Sequence, residues 1–73
     1  MKPTIMQLKE LALVGGNIIL STNDYPLNQI RELIVVGKSR GVSVTIRNAD
    51  KLTSLQRKSI AFLNPTKVTF DFS

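Results

Sequence analysis

A chain of 73 residues is expected to form one domain, residues 1–73, and at this size folding buries only roughly 60% of the unfolded surface, leaving a core with little stability to spare. The absence of Cys and His excludes disulfides, thiolate or imidazole metal centres, and nucleophiles activated by histidine; five carboxylates remain as the strong metal ligands. Ten Lys and Arg against five Asp and Glu give a net charge of +5, which argues solubility first and an acidic partner or nucleic acid second.

The first helix is announced by Thr4 and Gln7, the spacing of a capping box in which hydroxyl and amide satisfy free N–H groups of the first turn. On a wheel of 100° per residue, Ile5, Leu8, Leu11, Ala12 and Val14 share one arc and Leu13 projects from the other side. Gly15 follows, where a left-handed terminating residue is wanted. Lys9 and Glu10 break the apolar run before it reaches the length of a signal peptide, and no stretch approaches the roughly 20 apolar residues that cross a bilayer, so a soluble cytoplasmic protein is expected.

A first strand is predicted over residues 17–21, with Ile18 and Leu20 on one face and Asn17, Ile19 and Ser21 on the other. Asn23 or Asp24 then serves as helix cap, with Pro26 in the first turn of a second helix whose arc is Leu27, Ile30, Leu33, Ile34 and Val36. Val35 projects opposite, as Leu13 does, and Gly37 is read as the terminator. The second strand, 42–47, alternates Val42, Val44 and Ile46 with Ser43, Thr45 and Arg47. Thr53 and Gln56 repeat the capping box at the third helix, which Asn64 and Pro65 end. The last strand, 67–72, sends Val68, Phe70 and Phe72 inward and Lys67, Thr69 and Asp71 outward.

These elements are one unit written three times. Gln7-Leu8-Lys9-Glu10-Leu11-Ala12-Leu13-Val14-Gly15 is echoed from Gln29 to Gly37 and, more loosely, from Gln56 to Asn64, at offsets of 22 and 27 residues. Each copy runs into a strand, and a repeat of this period signals a stacked architecture. Strands that are oily on one face only call for helices on one side, and right-handed βαβ crossovers give a parallel sheet in order 1-2-3. The expected fold class is therefore α/β: three helix-strand repeats, a three-stranded parallel sheet and one helix layer, solenoid-like.

Ile18-x-Leu20-x-x-Asn23 resembles the strand signature of leucine-rich repeats, as do the repeat length, the one-sided helices and the polar open sheet face. The second copy, Val44-x-Ile46-x-Asn48, is one residue shorter, and no asparagine follows Phe72, so an asparagine ladder cannot run through all three. The phrase Lys67-Val68-Thr69-Phe70-Asp71-Phe72 is similar to the ending of short bacterial αβ-repeat proteins. Neither resemblance carries over a function or a functional residue.

Three surfaces are candidates for function. If the helices face the sheet alike, Leu13, Val35 and Phe62, with Leu55 beside it, form an exposed apolar stripe suited to a homo-oligomer interface. The competing reading rotates the third helix so that Leu52, Leu55, Phe62 and Leu63 face the core, which Arg57 in the column of Leu8 and Ile30 favours. The polar sheet face, Ser43, Thr45, Arg47, Lys67, Thr69 and Asp71, is a regular array with strands about 4.8 Å apart, although Ser and Thr are also ordinary solvent-facing strand residues. The terminal strands offer unpaired edges for edge-to-edge assembly, particularly after the third strand, which the sequence does not follow with a cap.

For nucleic acid, Arg47 and Lys67 could meet phosphates with Lys38, Arg40 and Lys51 in adjoining loops, but stacking platforms are missing, since the single Tyr25 sits in a loop by Pro26 and the Phe residues of the third strand point to the core. Gly15 and Gly16 precede a strand, whereas a phosphate cradle precedes a helix. Asp24 and Asp50 fall at corresponding strand ends and read first as turn and cap residues, with a weak cation site as the lesser alternative. The expected function is a noncatalytic protein-protein interaction or self-assembly module without cofactor, a homodimer or an edge-to-edge assembly; nonspecific nucleic-acid binding is the alternative.

Overall fold

A computed structural model describes residues 2–72. The chain is mixed α/β: helix α1 is Ile5–Leu13, strand β1 Ile18–Ser21, helix α2 Leu27–Lys38, strand β2 Val44–Arg47, helix α3 Ser54–Leu63 and strand β3 Val68–Phe70, with one turn of 3-10 helix at Ala49–Lys51. The three strands form a parallel sheet in order β1-β2-β3. Ile18 pairs with Val44 and Val44 with Val68; Leu20 pairs with Ile46 and Ile46 with Phe70. These rows join Leu8, Ala12, Ile30, Leu33, Ile34 and Ile60 of the helices in a single core, whereas Ile19, Arg47 and Thr69 on the opposite face are exposed.

Both capping boxes form. Thr4 Oγ1 accepts from the Gln7 amide at 3.2 Å while Gln7 Oε1 accepts from the Thr4 amide at 2.9 Å; Thr53 and Gln56 reproduce the pair at 3.1 and 2.9 Å. Gly15, at φ +88°, is left-handed just beyond α1, as expected.

Several expectations need correcting. All three strands are shorter than predicted: the Val42 amide donates to the Gly37 carbonyl at 3.0 Å, which commits it to the end of α2 rather than to the sheet, and β3 ends at Phe70, with Asp71 keeping one further bond to the Ile46 carbonyl at 2.8 Å. Pro26, not Asn23 or Asp24, is the N-cap of α2 and makes no side-chain cap bond. Gly37 does not end that helix; Gly41, at φ +68°, is the left-handed residue four positions on. Asn64 caps α3 with an extended φ of −159° rather than a left-handed one. Leu11 and Val14, assigned to the core arc, are exposed, and so is Phe72, which lies beyond β3 with the Arg57 guanidinium 5.2 Å from its ring centroid.

Gly37 is glycine because of space. A Cβ there would lie 3.0 Å from Val42 Cβ and 3.9 Å from Ala12 Cβ, so where α1, α2 and the lead-in to β2 meet, a side chain fits only if Val42 gives way. Gly37→Ala is expected to lower stability by about 1 kcal/mol or more in urea unfolding despite the better helix propensity of Ala, because overpacking outweighs it. A stabilised variant would show that Val42 yields freely.

Candidate functional site

The helix layer settles the orientation of α3. Phe62 is 82% exposed and Leu55 77%, while Leu52 is buried, Leu63 is half-buried and Ile60 is fully buried, so the rotated packing that would bury Phe62 and Leu55 does not occur. Arg57 keeps its core-side column by another use. Its Nη1 donates to the carbonyls of Ala49 at 3.1 Å and Leu52 at 2.8 Å, bracing the 3-10 turn that leads into α3.

Leu13 at 49% and Val35 at 55% exposure repeat the position of Phe62, so the same place in all three units presents an apolar side chain to solvent. A cleft of about 410 Å³ lies beside it, lined by Val35, Val36 and Leu63 with Lys9, Arg31 and Glu32 around them. Lys9 Nζ is 2.9 Å from Glu32 Oε2, so part of that charged rim is internally paired. A smaller apolar depression at Lys58, Ala61, Phe62 and Pro65 continues the surface along α3.

The sheet face is built in rows by the register. Ile19, Thr45 and Thr69 form the middle row, and Ser21 and Arg47 the row towards the strand carboxyl ends, where Asp71 lies just beyond β3. Arg47 Nε approaches Asp71 Oδ2 at 3.8 Å, so the acid offsets the arginine and Lys67 carries the face's remaining positive charge. Ser43 and Thr45 are half-buried; Asn17 Oδ1 accepts from the Ser43 amide at 2.9 Å. The loop cations are separated by topology. Lys38 and Arg40 lie before β2, at the amino ends of the strands with Lys67, whereas Lys51 lies beyond the carboxyl end of β2.

At those carboxyl ends the loops are tied together. Asn48 is left-handed at φ 56°, its Oδ1 accepts from Ser21 Oγ at 2.6 Å, and its carbonyl accepts from Thr22 Oγ1 at 2.9 Å. Asp24 meets Lys2, whose Nζ is 3.7 Å from Oδ1 and donates to the Asp24 carbonyl at 3.2 Å. Tyr25, placed in an open loop by sequence reasoning, is buried, with its hydroxyl donating to the Pro3 carbonyl. These contacts give the loops a structural use, and among the described residues no three acidic side chains gather as a metal site. Among the described residues no helix is long and apolar enough to cross a membrane.

No family model, curated protein or solved structure matches this chain. Function must be argued from its own surfaces.

Proposed function

We propose that this domain is a noncatalytic interaction module, a short solenoid of three helix-strand units that self-associates through the outer surface of its helix layer. The observation that carries the reading is the repetition of an exposed apolar side chain at Leu13, Val35 and Phe62. Soluble helices place polar residues there, and a large exposed apolar patch marks a contact surface. Leu55 widens the surface on α3, and the cleft floored by Val35, Val36 and Leu63 gives a protruding side chain somewhere to seat. The lack of His and Cys supports a role that does not require general acid-base or nucleophilic chemistry.

Nonspecific nucleic-acid binding is the second reading, supported by Lys38, Arg40 and Lys67 at one end of the sheet. The pairing of Arg47 with Asp71 weakens it, since phosphate contacts supply most of such affinity.

Dilution followed by NMR separates the two surfaces. Methyl and ring resonances of Leu13, Val35, Leu55 and Phe62 are expected to move with protein concentration while those of Thr45, on the open face of the central strand, stay fixed. Movement confined to the sheet face contradicts the proposal.

A further inference from the structure

Burial is uneven across equivalent positions. Leu11, Leu33 and Ile60 hold the same place in the three units, yet Leu33 and Ile60 are 0% exposed and Leu11 is 51% exposed. All three are branched aliphatics, so the difference lies in what covers them. α2 and α3 each have a unit before them in the stack, and among the described residues α1 has none. The other end complements it: Ile18, Leu20, Val44 and Ile46 are buried, but Val68 and Phe70 in the same rows are half-buried. Each end exposes the apolar surface that an internal unit hides.

Charge points the same way. The ion pair between α1 and α2 joins Lys9 to Glu32. Lys9 belongs to a column continued by Arg31 and Lys58, and Glu32 to a column with Glu10 and Ser59. Lys58 and Glu10 are both exposed and form no ion pair among the described residues. A first unit laid after α3 would set its Glu10 against Lys58 as Glu32 sits against Lys9.

The backbone is ready for the same step. The Ile18 amide donates to the Ser43 carbonyl at 3.0 Å and the Val44 amide to the Lys67 carbonyl at 2.8 Å. By the alternation of a parallel ladder, the amides of Val68 and Phe70 face the open edge of β3 and that of Ile19 faces the open edge of β1.

We infer that copies of this chain stack head to tail, with β3 of one pairing in parallel with β1 of the next, Val68 opposite Ile18, and Lys58 meeting Glu10 of the next copy. This goes beyond the helix-face reading, naming a second copy as partner and the ends of the stack as a contact separate from Leu13, Val35 and Phe62. Such an interface is heterologous and propagates rather than closing at two.

Sedimentation velocity on the full chain tests it with Glu10→Lys and Lys58→Glu. Each variant alone places like charges at every junction and is expected to associate about fivefold or more weakly than the wild type, whereas an equimolar mixture makes every mixed junction complementary and recovers association. Ile19→Pro, which removes an edge donor without touching the β1–β2 ladder, is expected to stop growth. Association of the two charge variants and their mixture alike at the wild-type level overturns the stacking geometry while leaving self-association intact. A wild-type chain that stays at 8.1 kDa at every concentration overturns both.

Discussion

Replacing Leu13 and Val35 together with Glu is expected to abolish helix-face association while leaving the fold in place. Both side chains are about half exposed, so each change costs the monomer within about 0.5 kcal/mol, the usual range for surface substitutions. In an apolar contact the same carboxylates must be desolvated without partners, at several kcal/mol per charge, which weakens association by about 1,000-fold or more. Light scattering should give a lower mass for the variant than for the wild type at every concentration, any association left being that of the stack ends, with a far-UV circular dichroism melt close to the wild type. A variant as heavy as the wild type at every concentration removes the helix face from the account and leaves the stack ends as the contact.

Ile60→Ala is the substitution expected to damage the fold most. Ile60 is fully buried and is the one buried residue of α3, and truncating such a side chain costs about 2–5 kcal/mol in lost transfer energy and cavity formation. The total stability of a domain this size is on the order of 4–11 kcal/mol, so much of it would go. Leu11→Ala, at the equivalent place in α1, is the control: in the monomer it should cost well under half as much, because its side chain already meets solvent. Urea unfolding at low protein concentration measures both, and equal losses would show that Leu11 is covered in solution.

Local chemistry made much of the architecture legible. Thr4 with Gln7 and Thr53 with Gln56 marked two helix starts correctly because a capping box is satisfied within its own first turn, whatever the rest of the chain does. The alternation of Ile18 and Leu20, and of Val44 and Ile46, gave the buried face because side-chain direction in a paired strand is fixed by the pleat. Phe72 escaped this rule since the strand ends at Phe70, and Arg57 takes up its ring from a neighbouring element.

What sequence could not supply was contact between distant residues. Gly37 looked like a helix terminator because glycine often is one; only the approach of Val42 and Ala12 shows that its missing Cβ matters more. Leu11 matched the core arc in spacing, but burial also needs a neighbour, and α1 has one on a single side. The exposed column of Leu13, Val35 and Phe62 could be read from the wheel once α3 was taken to face the sheet like its predecessors. The tie between Ser21 and Asn48, 27 residues apart, left no mark in either segment alone.

The central claim is that exposed apolar surface drives this chain to assemble. Its most direct test is absolute mass in solution, by light scattering behind a sizing column, over a concentration series at about 50 and 200 mM salt. The account predicts a species heavier than 8.1 kDa whose population grows with concentration and persists at the higher salt, since apolar burial is not screened. A mass of 8.1 kDa throughout would contradict it.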